Sequence, residues 1–458
     1  MVHINPKNLI ESVILSPAGE YSYSVSIINY SNGKAANLHH NDKTKSDIVL
    51  SIEQLKNTLP NVDWIAVEVP WFANSVSLDK VYITPKIEHK NNVLPWKVAN
   101  YDRNNAGVIT TSAQGKLNYG GTPTDKSIVE LCNFLKNKNY KIMLSPLIFV
   151  DDANKSWRGF ISPEGNKKEV DKQIHNFFHN EYGYNKFILH YAALLKNKID
   201  VISIGNELKG LTFSSGNYGF PAIDELKKLA SEIKKITGSS VKTTYIANYG
   251  EYHHNDKGLY ALDSLWGSEY IDIVTINALF PLTNNLPQEE ISCRDIKEGW
   301  KSGEGVDYYF SGSIRIDFED QTWSSKNFEY WYNNYHFEDG VVTEWSPEKG
   351  KQLNIIYSFA SITGITNNPG NFYTWNSPIP DFKAQSLAIL ASELFFNELE
   401  IVSQSFISRW DARPFPYYPQ NCHDWSDCKE WNINPALNGK IGNYTFDSSS
   451  CGIYHHEL

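Results

Sequence analysis

Asn206-Glu207-Leu208 closes the apolar run Val201-Ile202-Ser203-Ile204-Gly205, and much later Glu344 closes Val341-Val342-Thr343. Two glutamates, each ending a short β-branched run, form the pattern that a two-carboxylate hydrolysis of glycosidic bonds requires. On this reading Glu207 protonates the leaving oxygen and then activates water, while Glu344 attacks the anomeric carbon, a retaining mechanism. Asn206 carries an amide suited to a sugar 2-hydroxyl. Each group also has a plainer reading. Asn206-Glu207 is equally a helix N-cap followed by an acid that favours the helix dipole, and Glu344 is an exposed glutamate at a strand end.

Further candidates for substrate contact cluster around the same pattern. Trp71 ends the run Ile65-Ala66-Val67-Glu68-Val69, and Trp157-Arg158 lie in a loop after Lys141–Leu147. Tyr249 and Glu251 follow 241–247, with Glu251 a further acid at the rim. Trp345 follows Glu344 directly. In Trp410-Asp411-Ala412-Arg413-Pro414, Trp410 is placed to lie under a sugar and Asp411 to pair with Arg413; a purely structural corner fits as well. His253-His254 and His455-His456 offer adjacent imidazoles but no matching third ligand, so no metal and no cofactor is expected.

Glutamates at strand ends need a scaffold that presents them together. The order of the apolar runs supplies one. Helical patterns are expected over 51–59, from Thr124 or Asp125 to about Lys138, over 170–197 with a break near Tyr182-Gly183, and over 221–236, 351–364 and 381–397. Pro221 opens the fourth of these and Gly238 stops it. Strands are expected at 65–69, 141–147, 201–205, 241–247, 271–277 and 341–343, with 21–29 as part of a lead-in hairpin. The last strand is either 371–375 or 405–410. Strands alternating with helices predict a parallel sheet. In a (β/α)8 barrel the catalytic groups sit at the C-terminal strand ends. The expected organisation is a short N-terminal extension (1–50), the barrel (51–420) with long loop insertions such as 283–340, and a C-terminal tail (421–458).

Composition narrows the partners. The chain has 458 residues, 41% of them hydrophobic, which is enough for a barrel and appended loops. A net charge of −10 argues against a nucleic-acid footprint and leaves room for a neutral glycan. Aromatics reach 14%, which suits stacking on sugar rings or simply a large core. No apolar run is long enough for a membrane span. The opening MVHINPKNLIESV lacks the layout of a signal peptide, so synthesis in the cytoplasm is expected. Cys132 falls in a helical pattern and reads as core. Cys422 and Cys428 sit in a polar loop.

The blocks VDWIAVEVPWF (62–72), YGGTPTD (119–125), ILHYAALL (188–195), IGNELKGLT (204–212), YIANYGEYH (245–253), LDSLWGSEYIDIVTIN (262–277), GEGVDYYF (303–310), VVTEW (341–345) and RWDARPFPYYP (409–419) carry a specific resemblance. With them the chain resembles the glycoside-hydrolase TIM-barrel-like domain of gene transfer agents and related phage tail proteins, over about residues 50–420. The resemblance favours 405–410 as the eighth strand. It implies a barrel of glycosidase ancestry, cell-envelope polysaccharide or peptidoglycan as the glycan partner, other tail or baseplate proteins as neighbours, and assembly into a phage-tail-like particle. Relatives are often parts of longer tail proteins, so a free-standing or truncated copy is expected here. Two departures stand out: Asn277-Ala278-Leu279 replaces an Asp-Asn-Tyr-like stretch, and Trp345-Ser346 replaces Tyr-Gly. Two functions remain open on these grounds: a retaining glycoside hydrolase, or a catalytically inactive structural and host-recognition module.

Overall fold

A computed structural model describes residues 8–27, 42–92, 94–113, 115, 117–255, 257–280, 282, 292–301, 308–311, 314–317, 327–358 and 382–414. Eight parallel strands close into a barrel: β1 (Ser12–Ser16), β2 (Trp64–Ala73), β3 (Lys141–Val150), β4 (Val201–Asn206), β5 (Lys242–Asn248), β6 (Ile273–Asn277), β7 (Gln352–Tyr357) and β8 (Val402–Asp411). Closure comes from β1, which pairs with β8 on one side and β2 on the other. The intervening helices are α1 (Asp47–Thr58), α2 (Asp125–Asn137), α3 (Lys167–His179), α4 (Tyr184–Leu195), α5 (Pro221–Thr237), α6 (Cys293–Lys301) and α7 (Phe382–Glu398). Among the described residues no helix is long and apolar enough to cross a membrane.

Local sequence explains most of these elements. The Thr124 side chain accepts the Ser127 N–H at the start of α2, and Asn166 with Glu169 forms a capping box on α3. Pro221 occupies the first turn of α5, and Gly238 ends that helix at φ +70°, a conformation that favours glycine. Residues 180–183 separate α3 from α4 where the break is expected.

Strand alternation sorts side chains into two cores. Ile14, Ala66, Met143, Val201, Ile246, Ile273, Ile356 and Phe406 fill the barrel interior, with Trp64 packed against them. The opposite faces, such as Ile65, Val67, Val69 and Trp71 of β2, pack with the helices in the larger outer core. Cys132 of α2 is fully buried there, and burial pushes its thiol up to about 12.

Four expectations change. The segment expected as an N-terminal extension contains β1, a full barrel strand, so the barrel begins well before residue 51. The described part of 21–29 is turn, not strand. Residues 352–357 form β7 rather than a helix; Leu353, Ile355 and Tyr357 are buried outward and Asn354 and Ile356 inward, so burial on both faces erases the periodicity that separates strand from helix. The valine pair of 341–343 is surface structure: Val341 and Val342, 69% and 47% exposed, pair antiparallel with Phe337–Glu338 outside the barrel. The eighth strand is β8, which contains 405–410; the rival 371–375 and the 421–458 tail lie outside the described residues.

Candidate functional site

Three consecutive strands, β4, β5 and β6, each end on an asparagine: Asn206, Asn248 and Asn277. Glu207 follows the first of them at φ +50°, a left-handed conformation that is uncommon without glycine and tends to mark sites held by their surroundings. Its backbone N–H is fixed by the Ile246 carbonyl at 2.8 Å, beside a register shift between β4 and β5. The turn brings the Glu207 carboxylate, 3% exposed as a residue, to the C-terminal mouth of the barrel.

Four side chains donate to that carboxylate. Arg158 Nη2 lies 2.6 Å and Trp157 Nε1 3.2 Å from Oε2, while Asn248 Nδ2 and Asn277 Nδ2 lie 2.8 and 2.7 Å from Oε1. Arg158 also donates to the Asn206 carbonyl at 3.1 Å and to Asn206 Oδ1 at 2.8 Å. The oxygen of the amide expected to meet a sugar hydroxyl is therefore engaged by the same guanidinium, while its Nδ2 lies 3.4 Å from Ser145 Oγ. The Arg158–Glu207 pair is buried, with side chains 8% and 5% exposed.

Close backbone approach makes this arrangement possible. A Cβ on Gly159 would stand 2.3 Å from the Trp157 ring, and one on Gly210 would stand 2.5 Å from the Ile161 carbonyl oxygen. The loop carrying Trp157 and Arg158 and the short helix Lys209–Thr212 after Glu207 thus pack through two glycines. We expect Gly159→Ala to displace Trp157 and destabilise the fold by about 1–3 kcal/mol, an overpacking cost, readable by denaturant unfolding.

A second charged pair lies deeper in the mouth. Glu68 continues the inward series Trp64 and Ala66; its Oε2 lies 3.4 Å from Arg409 Nε and accepts from Ser16 Oγ at 3.2 Å. Lys86–Asp151 (2.6 Å) and Arg413–Asp411 (2.6 Å) are further ion pairs of residues that end or follow barrel strands or lie in their insertions. Sequence reading missed Glu68, Arg409, Asn248 and Asn277. The available signals were a lone acid inside the buried run IAVEVPWF and the shared terminal asparagine of three strands.

The other expected site residues divide. Glu251 is buried behind the mouth: it accepts from Thr212 Oγ1 and Tyr245 Oη, both at 2.6 Å, and from the Asn248 N–H at 3.0 Å. Burial, then the nearby Glu207 carboxylate, pushes it up to about 7 against the lowering hydrogen bonds. Since Tyr245 Oη accepts from the Leu208 N–H at 2.8 Å, Glu251 braces the chain after Glu207 and is not an open rim acid. Tyr249 packs edge-on to Phe280, with centroids 5.3 Å apart.

Trp71 points into the outer core, stacked on Phe187 of α4 at 4.9 Å, with Nε1 donating to Tyr191 Oη at 3.0 Å. It lines a cavity of about 1140 Å³ between the 81–108 insertion and α4, not the mouth. Trp410 faces α1, where Nε1 donates to Ser51 Oγ at 2.9 Å, so it does not lie under a sugar; Asp411 pairs with Arg413 as its spacing suggests. Trp345 is a core residue, stacked on Trp331 at 4.7 Å. His253 is buried, and burial pushes its imidazole down to about 2; His455 and His456 lie outside the described residues.

Glu344 is not brought to Glu207. Its side chain is 58% exposed, accepts from Ser264 Oγ at 2.9 Å and lies 3.7 Å from Lys227 Nζ of α5. It precedes β7 and packs against the outer helices, whereas the mouth is built from residues that end or follow strands. The exposed valine pair that carries it is not a barrel strand, which is why the expected delivery fails.

The geometry is that of a (β/α)8 barrel with a glutamate directly after its fourth strand. Residues 182–386 match the GTA TIM-barrel-like domain. The match covers a little under half of the chain, and includes β4 to β7, Glu207 and both of its asparagine partners on β5 and β6. Over most of its length the chain is similar to a GH113 β-1,4-mannanase (11% identity, TM-score 0.49, 88% of this chain and 89% of that one) and to the GH113 β-mannanase AaManA from Alicyclobacillus acidocaldarius (12%, 0.46, 96% and 94%). An endo-laminarinase from Formosa is also similar (11%, 0.42, 88% and 78%). At these identities the likeness is one of fold. No curated protein matches the chain.

Proposed function

We propose that this chain is a glycan-recognising, non-hydrolytic barrel module of a gene-transfer-agent or phage-tail-like particle. The observation that carries the reading is the state of Glu207: both carboxylate oxygens are taken up by Arg158, Trp157, Asn248 and Asn277. An acid/base must exchange a proton with the leaving oxygen and then with water, and these partners occupy the positions from which it would do so. Among the described residues, Glu344 does not supply the second carboxylate. Its side chain accepts from Ser264 Oγ and lies near Lys227 of α5, away from Glu207.

Glycan recognition is supported by the mouth itself. Its charges are paired in turn, Arg158 with Glu207 and Arg409 with Glu68, which suits a neutral polyhydroxylated ligand better than an ionic one. Trp157 is part-exposed over Glu207 and packs edge-on to Phe160, which is 61% exposed, a platform for the apolar face of a sugar ring. The particle context rests on the match to the GTA TIM-barrel-like domain, and envelope polysaccharide or peptidoglycan is the ligand class that context favours.

The test is affinity electrophoresis and calorimetry with purified envelope polysaccharide and peptidoglycan fragments. Binding is expected for the parent and for Glu344→Gln, and a loss of about 1–3 kcal/mol is expected for Trp157→Ala, the scale of a buried aromatic contact. Binding that is absent in the parent, or untouched by Trp157→Ala, would remove glycan recognition at this mouth.

A further inference from the structure

On the helix layer, away from the mouth, α3 and α5 pack so that two imidazoles and a carboxylate converge. His175 and His179 are four residues apart on α3 and therefore share a face. Their rings stack with centroids 4.5 Å apart. Glu225 of α5 points at both: Oε2 lies 2.6 Å from His179 Nε2, and Oε1 lies 3.6 Å from His175 Nδ1. One ligand-capable atom of each residue falls within 4.8 Å of the others, the only such group of histidine, cysteine or acidic residues among the described residues. Lys228 Nζ also lies 2.9 Å from Glu225 Oε1, on a side chain 64% exposed and free to swing into solvent.

We propose that His175, His179 and Glu225 form a binding site for a divalent transition-metal ion of the zinc class. Tetrahedral ligands at about 2.0–2.1 Å from an ion stand about 3.3–3.4 Å from one another. The His175 Nδ1–Oε1 separation already matches, and His179 Nε2, held by the other carboxylate oxygen, needs to draw back by less than about 1 Å as the carboxylate turns one oxygen to the ion. Two nitrogens and one carboxylate oxygen select zinc, cobalt, nickel or copper over calcium and magnesium, which require an all-oxygen shell. The fourth position is open to water, since the His175 and His179 side chains are 63% and 38% exposed.

The site has a mechanical consequence. α3 follows the loop that carries Trp157 and Arg158, and α5 follows the segment that begins at Glu207. An ion joining α3 to α5 ties together the two chain segments that build the buried Arg158–Glu207 pair. Because only the native packing assembles all three ligands, the ion stabilises the folded state by mass action.

The experiment uses the full chain without an affinity tag, stripped with chelator and titrated with zinc chloride by calorimetry, with cobalt absorption and melting temperature as parallel readouts. One equivalent is expected to bind, to raise the melting temperature with metal concentration, and to be insensitive to excess magnesium. His175→Ala and His179→Ala are expected to weaken binding more than about tenfold and to abolish the rise in melting temperature. Saturable binding that survives in the double variant belongs to other histidines and overturns the assignment. Absence of saturable binding by the parent overturns it too. His175 is mostly exposed, so His175→Ala keeps the test valid if the other variant misfolds.

Discussion

Truncating Glu207 to alanine lowers the stability of this barrel by about 3–5 kcal/mol, the cost of leaving one member of a buried ion pair without its partner. Arg158 would keep its charge at a site where its side chain is 8% exposed, and would retain only the Asn206 oxygens as acceptors. Arg158→Ala leaves the opposite charge behind, with Trp157, Asn248 and Asn277 still donating to it, and is expected to cost less than Glu207→Ala. The double variant removes both charges, so its cost falls below the sum of the two singles, a coupling of the kind expected for residues in direct contact. Urea unfolding of the four proteins measures the cycle. A loss under about 1 kcal/mol in Glu207→Ala would mean that the carboxylate is not integrated as the geometry indicates.

The second large effect is a pH dependence carried by Glu251. Burial holds this acid at about 7 in the folded chain, above the ordinary glutamate range near 4.3. Between those two values the folded state holds a proton that the unfolded state has released. Stability therefore falls as pH rises from about 4.5 to about 7, then levels off, with a total change of about 3 kcal/mol. Glu393 of α7, also pushed up to about 7 by burial against the lowering hydrogen bonds from Tyr357 and Ser405, adds a slope of the same sign. Glu251→Gln is expected to remove the Glu251 share. A glutamine amide can donate to the Thr212 and Tyr245 hydroxyl oxygens while its carbonyl accepts the Asn248 N–H, reproducing the protonated acid. The variant should match the parent near pH 5 and exceed its stability by up to about 3 kcal/mol near pH 8. Equal unfolding free energies at both pH values for parent and variant would contradict the buried placement of Glu251.

Much of the architecture was legible because barrel strands advertise themselves. The runs around Val67, Leu144, Ile204 and Ile246 are largely apolar, three of them rich in β-branched residues, and each became a strand. Glu207 with Trp157 and Arg158 was legible because all three flank such runs. Pattern alone misplaced Glu344, since Val341-Val342-Thr343 looks like a buried strand while its valines face solvent. The true seventh strand, QLNIIY, hides because both of its faces are covered, and the first, SVILS, because it is short and isolated in a polar stretch. Tryptophans misled for a different reason. Trp71, Trp345 and Trp410 are large apolar side chains that the outer packing claims before any ligand can. The partners of Glu207 on β5 and β6 come from segments distant in sequence, and the parallel register that sets Asn248 opposite Asn277 makes them neighbours.

The central claim is that the mouth binds without cleaving, because both Glu207 oxygens are engaged and Glu344 lies on the outer helices. The most direct measurement is the release of reducing ends from envelope polysaccharide and peptidoglycan over long incubation, for the parent and for Glu207→Gln. No release above the buffer rate is expected from either protein. Turnover by the parent that disappears in Glu207→Gln would contradict the account and restore Glu207 as an acid/base.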